Sequence, residues 1–558
     1  MKRSVYKKAP AVALSSLFAA FAQAAEPPQL PNAGSILQQT QPTKPPSASP
    51  VGTGLTIEQA NGSASPPTAP FPVKEIRISG NTQFDSATLH ALVADAEGKS
   101  LTLAQLGEAA ERITAYYHDH GFPLARAVIP AQTIRNGIVS LTVVEARYGK
   151  INLTNRSRSD DGLLLDSLSP LQAGQQIEQN ALDHSLLLLS DVPGVGTSAT
   201  LKPGEAVGTS DLEIEATTPQ TVIGNISADD YGNRYTGRDR LGGGINFFDP
   251  LHHGDVLSLN VLTAGSDMNY GRIGYEVLLS GLGTRLGTSY SALNYTLGDN
   301  LAALGGHGTA NVSNVWLKRP FLRSRSVNLY GQVEYDHKQL KDDVDSTSIH
   351  TDRHLDELTA SLIGDWRDTS GVNSWNLGLT DGRVNFDNAA AQLADASTAK
   401  TQGSFTKWTA NINRVQSIDQ SNALYFAFSG QWSNTNLDAS EKMVAGGAYT
   451  VRAYDMGVLS GDSGVLGNVE WRHELGQLAS GQAQAIAFID SEHVTINQTT
   501  WTSGTNGATL SGAGVGFNWF GPSQWSIKAT VAAPLGATPE LTGAKKSARG
   551  WIEIDKAM

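Results

Sequence analysis

Few stretches of this 558-residue chain place reactive side chains at a spacing that chemistry could use. Gly461-Asp462-Ser463-Gly464 presents a serine on a turn, and such a serine attacks carbonyls when a histidine and an aspartate activate it. That chemistry also asks for a following glycine, and Val465 stands there instead. His118 and His120 are two apart near a helix end, which puts them on different faces. His252-His253 falls in a turn, and Asp342, Asp343 and Asp345 cluster without the glycine and glutamate of a calcium loop, so both read as solvated groups. Cysteine is absent, which removes disulfides, thiol catalysis and cysteine–zinc sites. The expectation is no catalytic residue, no metal and no cofactor. Charged residues that alternate with apolar ones, such as Glu470 and Arg472, point to pairing inside a structure.

The elements that would hold them are strands. In Val327 to Tyr335, Val327, Leu329, Val333 and Tyr335 face one way, and Asn328, Tyr330, Gln332 and Glu334 the other. The strand from Val465 repeats this, with Val465, Val469, Trp471 and Leu475 outward and Asn468, Glu470, Arg472 and Glu474 inward. After it, Ala485, Ala487 and Ile489 fall on the apolar side, and Gln484, Phe488 and Asp490 face inward. From Thr221 onward no helix-period segment is expected, and sixteen such strands can be counted. Short turns at 249–254, 281–283 and 521–523 alternate with longer connections at 298–307, 339–350, 388–403, 433–464 and 533–547. Short turns on one rim and long loops on the other mark a transmembrane β-barrel. The 433–464 connection is too long and too Gly-rich for a hairpin, and a structureless insertion of that size is usually functional.

Upstream, Lys2, Arg3, Lys7 and Lys8 precede an apolar run that ends Ala22-Gln23-Ala24, the order of an export signal over residues 1–24. Residues 25–72 turn to Pro, Ser, Thr, Gln and Gly, a linker interrupted by a possible short helix at 31–39 carrying Ile36 and Leu37. Residues 73–146 and 147–218 each read β-α-α-β-β, an internal repeat that resembles a pair of polypeptide-transport-associated (POTRA) domains. In the first, Leu106, Ala109, Ala110, Ile113 and Tyr117 share one helix face. The net charge of -12 argues against a nucleic-acid partner. The fold class expected is mainly β: a sixteen-stranded antiparallel transmembrane β-barrel over 219–558, preceded by two small α/β POTRA domains and a short N-terminal helix on a linker.

That arrangement resembles the outer-membrane transporters of two-partner secretion, the B components that export large haemolysins and adhesins. The resemblance implies that the 433–464 loop folds back into the barrel and carries a Val-Arg-Gly-Tyr-like tip, here Val451-Arg452-Ala453-Tyr454. It implies that Arg452 pairs with the aspartate of a Phe-x-Asp motif, here Phe488-Ile489-Asp490. Gly461, Asp462 and Gly464 match a further loop element, with Glu470 and Arg472 opening the next strand. Alanine at 453 departs from the family glycine, and the last strand carries Trp551 in place of a terminal aromatic. The helix with Ile36 and Leu37 would be a plug. Implied partners are a large secreted (TpsA-type) protein whose N-terminal secretion domain binds the POTRA units, outer-membrane lipid, and periplasmic chaperones and barrel-assembly machinery during biogenesis, with the transporter itself a monomer. A passive porin and an outer-membrane assembly factor are the alternatives.

Overall fold

The computed structural model describes residues 30–40, 49–50, 52–58, 68–542 and 547–558, and the expected export signal lies outside them. The first element is α1 (Ala33–Thr40), which Asn32 caps by accepting the Ser35 amide hydrogen at 2.9 Å. A short strand, β1 (Leu55–Ile57), follows in the linker, where none was expected.

Two α/β units come next. In the first, β3 (Glu75–Ser79), β6 (Ile138–Val144) and β5 (Arg126–Val128) form a three-stranded sheet, and β2 (Phe71–Val73) pairs with β4 (Lys99–Leu101). The helices α2 (Ser86–Ala91) and α3 (Leu103–Asp119) cover the larger sheet. A reciprocal capping box between Thr102 and Gln105 starts α3, and its apolar stripe Leu106, Ala109, Ile113 and Tyr117 is fully buried. The second unit holds β7 (Arg147–Arg156), α4 (Asp161–Leu168), α5 (Gln179–Ser190), β8 (Gly196–Pro203) and β9 (Thr209–Thr217). Its sheet runs β1-β8-β9-β7, so the linker supplies one edge.

From β10 (Val222–Asp229) to β27 (Arg549–Ala557), sixteen antiparallel strands close into a barrel, with β10 hydrogen-bonded to β27. Closure leaves no strand edge to face lipid. Outward positions such as Val333, Tyr335, Val469 and Ile489 are exposed, and inward ones such as Asn328, Glu470 and Asp490 are buried. The second α/β unit is fastened to the short-turn rim. Asp191 takes two hydrogen bonds from Arg323 at 2.6 and 2.8 Å, Asp183 takes one from Arg325 at 2.7 Å, and the Ser167 hydroxyl donates to the Gly281 carbonyl at 2.8 Å.

One expected loop, 339–350, is largely strand. β15 (Gly306–Arg323), β16 (Val327–Val344) and β17 (Ile349–Arg367) continue beyond the apolar band, covering most of 339–350 and beginning within 298–307. Their outward side chains become polar there, as at His337, Gln339 and Lys341, so alternation is lost from the sequence while pairing persists. A helix also appears where none was expected, α6 (Ala389–Ser397), capped by Asn388.

Glu145 ties the two α/β units together. It accepts hydrogen bonds from the Thr82 and Gln83 amides at 2.6 and 3.0 Å, from the Tyr117 hydroxyl at 2.8 Å and from Gln176 of the second unit at 2.5 Å. Burial pushes its carboxyl up, but these bonds outweigh burial and hold it below the usual carboxylate range. A depressed folded value means stability that is present above the unfolded carboxylate range and lost as pH falls through the folded value. Glu145→Gln is expected to speed amide exchange at Thr82 and Gln83 about 10- to 100-fold at pH 7, the loss of about 1–3 kcal/mol. Hydrogen exchange on the full chain checks this; in the unsubstituted chain the same protection should fall in acid.

Candidate functional site

The long connection between β20 (Asn422–Ser433) and β23 (Ser463–Leu478) turns into the lumen. Its tip is buried: Val451 and Ala453 are sealed against Phe488, Leu510 and Ala532 of the wall, with Tyr454 in the same cluster. Arg452 donates to Asp490 through Nε at 2.9 Å and Nη2 at 2.6 Å, and its backbone amide reaches the same carboxylate at 3.1 Å. Nη1 donates to Glu470 at 2.6 Å. The other Glu470 oxygen takes Arg472 at 2.7 and 3.0 Å. Two cations and two anions therefore share one buried knot, with the Arg452 guanidinium over the Phe488 ring at 3.4 Å. Such a bidentate, fully partnered arrangement is what makes buried guanidinium tolerable.

Gly461, Asp462 and Gly464 lie at the outgoing end of the loop. Asp462 is wholly buried and accepts the Leu437 and Gln498 amides at 3.0 and 2.8 Å, with Lys442 Nζ at 2.8 Å. Ser463 opens β23 and its hydroxyl accepts the Ser433 amide at 3.1 Å. Gly461 and Gly464 each run within 2.6 and 2.8 Å, measured from an added Cβ, of the neighbouring strand's carbonyls.

A second ionic cluster, which the sequence reading missed, seats the incoming limb of the loop. Glu441 lies between Lys338 at 2.5 Å and Lys407 at 2.7 Å, and Lys338 also reaches Glu357 at 3.1 Å. Arg353 bridges Asp438 of the loop at 2.5 Å and Asp342 of the wall at 2.7 Å. Asp342 also accepts the Ala33 amide at 2.7 Å and the Tyr295 hydroxyl at 2.6 Å. Asp342 is thus no solvated loop acid but an inward rung of β16, which the parity of Asn328, Tyr330 and Gln332 would have shown if extended.

Those contacts hold α1 inside the barrel. Ile36 and Leu37 are buried with Tyr295, Leu340, Leu355 and Leu437, Gln38 donates to the Ser440 carbonyl, and Asn233 donates to Gln39 at 3.0 Å. Beside α1 and the tip remains a cavity of about 640 Å³, bordered by Gln38, Gln39, Arg452, Glu470 and Arg472. The sequence reading set Trp551 in place of a terminal aromatic. It points inward, 3% exposed, and its indole donates to the Arg452 carbonyl at 2.7 Å, which excludes the lipid-facing role a terminal aromatic would have. Among the described residues no group of three or more side chains could hold a metal.

Ala453 fits without strain, since it is absent from the residues with positive φ. Its methyl faces Gly512, where an added Cβ would meet it at 2.5 Å. The bare Gly512 backbone leaves room on the wall for the Ala453 methyl. Gly512→Ala should therefore unseat the tip, read as protease cleavage within 446–457, and Ala453→Gly in the same chain should restore protection. Failure of the second change to rescue would contradict this packing.

Comparison with known proteins agrees with this architecture. Residues 71–146 match the ShlB-type POTRA domain. The heme/hemopexin transporter protein HuxB of Haemophilus influenzae is 26% identical over 473 residues, spanning 83% of this chain and 84% of that protein. The outer membrane transporter CdiB of Dickeya dadantii is 22% identical over 492 residues, 83% of each. The solved structure of CdiB from Escherichia coli superposes with a TM-score of 0.67 at 20% identity, covering 93% of this chain and 95% of that one, a likeness of fold. Residues 208–519, more than half of the sequence, match the family of the haemolysin secretion/activation protein ShlB/FhaC/HecB, and the chain belongs to that family.

Proposed function

We infer that this chain is an outer-membrane pore that carries a large secreted partner protein from the periplasm to the cell surface, with its two α/β units in the periplasm. The observation that supports it most is the lumen, where α1 and the loop tip are both held by non-covalent pairs to the wall. An occupant held this way can leave, and the space it leaves suits an extended polypeptide. A passive porin has no use for removable occupants or for periplasmic units bolted to its rim.

In this reading the division follows the composition: an export signal at 1–24, plug helix and linker at 25–72, POTRA units at 73–146 and 147–218, and the barrel from 219. The partner presents its N-terminal secretion domain to the POTRA units, threads through the lumen unfolded, and folds outside, which biases movement outward without ATP. Arg452 with Asp490 and Glu470 sets the loop's resting position, and Ile36 and Leu37 anchor the plug. The pore works as a monomer, and chaperones and the assembly machinery act during its biogenesis.

The test is co-expression of the partner in cells with and without this chain. The partner should reach the medium only when the chain is present, and be retained in the periplasm otherwise. Equal amounts in the medium in both strains would sink the reading.

A further inference from the structure

The linker strand β1 is three residues long, yet it completes the sheet of the second α/β unit. It pairs parallel to β8, with Leu55, Thr56 and Ile57 opposite Ala199, Thr200 and Leu201. The Ala199 amide donates to the Gly54 carbonyl at 3.0 Å, and the Glu58 amide to the Leu201 carbonyl at 2.9 Å. Leu55 packs on the unit's core beside Ala199 and Leu201, while Thr56 and Ile57 are exposed. Gly54 lets the chain come in so closely, with φ of +61° and only 2.5 Å between an added Cβ and the Thr197 carbonyl.

Short as it is, β1 leaves most of the eight-residue β8 uncovered on that edge. A strand edge of this kind is a ready template for another extended chain. The segment occupying it is continuous with the plug. Just before β1 the linker crosses the barrel rim, where Arg367 donates to the Ser49 carbonyl at 2.6 Å, Arg323 to the Pro50 carbonyl at 2.8 Å and Arg325 to the Thr53 hydroxyl at 3.1 Å. Arg323 and Arg325 are the same residues that bind Asp191 and Asp183 of the second unit. Edge, rim and lumen are thus three fastenings on one strap.

We propose that the β8 edge is the docking edge for an extended segment of the secreted partner, and that Leu55–Ile57 is the intramolecular strand this segment displaces. The proposal rests on the transport reading above and adds the edge and the competitor. The incoming segment has apolar residues at alternate positions, one of them replacing Leu55 over Ala199 and Leu201, and pairs along more of β8 than β1 does. Its gain over β1 comes from the extra backbone bonds. Displacing β1 removes the edge fastening on the periplasmic side, leaving α1 held by its lumen contacts and by the rim contacts of Ser49, Pro50 and Thr53.

The chain contains no cysteine, so a single disulfide can be introduced cleanly. Thr56→Cys with Thr200→Cys joins direct cross-strand partners and locks β1 on the edge. Ser198→Cys with Glu215→Cys, partners within the unit's own β8–β9 pair, is the control that stiffens the sheet and leaves the edge alone. The probe is the partner's N-terminal secretion domain, co-expressed and measured in the medium, with disulfide formation scored on the same cells. The oxidised linker lock should cut export about tenfold or more, reductant should restore it, and the control should export normally. Normal export by the fully oxidised lock overturns the proposal, as does equal loss in the control. Absence of export by the unsubstituted chain would instead strike the transport reading, and the proposal with it.

Discussion

The buried knot of Arg452 with Asp490 and Glu470 is the interaction on which the interior depends. A guanidinium taken out of water costs several kcal/mol unless its donors are met, and breaking one partner of such a buried set costs about 3–5 kcal/mol. Here the head group is met on three sides: by Asp490 through two bonds, by Glu470 through a third, and by the Phe488 face. The balance of charge within the group makes the tip cling to one place on the wall.

From that seat the rest follows outward. With the tip fixed, the incoming limb of the loop lies where Asp438 and Glu441 meet Arg353, Lys338 and Lys407. Arg353 then orients Asp342, whose other oxygen receives the first amide of α1 together with the Tyr295 hydroxyl. A carboxylate at a helix N-terminus is favoured by the helix dipole as well as by the hydrogen bond. Plug and loop are therefore neighbours in one electrostatic chain, which gives a physical route by which movement of one alters the seat of the other. On the periplasmic side the linker continues the chain of contacts through the rim arginines to β8.

Much of this could be read from residue order. Alternation at Val465 through Arg472 and the parity of Asp490 set the wall side of the knot inward, because a strand's period of two is strict, while its pairing with Arg452 was implied by the family resemblance. The barrel followed from repeating that pattern, and the closed sheet of sixteen strands agrees. What alternation could not reach was the upper wall. Lys338 and Asp342 stand on strand that has left the apolar band, so the outward residues beside them are polar and the pattern looks like a loop. Trp551 was read only as a stand-in for a terminal aromatic; with Ile552 and Ile554 outward, strand alternation turns it inward, where its indole meets the Arg452 carbonyl. Ala453 needed its partner Gly512, some sixty residues on, to make sense. The linker strand Leu55–Ile57 is too short, and too close to Gly and Pro, for any periodicity to reveal it.

The proposed transport role rests on Arg452 and Asp490 acting as a unit to hold the loop in place. The direct measurement is a double-mutant cycle, Arg452→Ala, Asp490→Ala and both together, scored by partner export at matched barrel abundance. Each single change is expected to lower export severely and the double change to be no worse than either, because the second removal finds the pair already broken. Losses that simply multiply, or single variants that export normally, would contradict it.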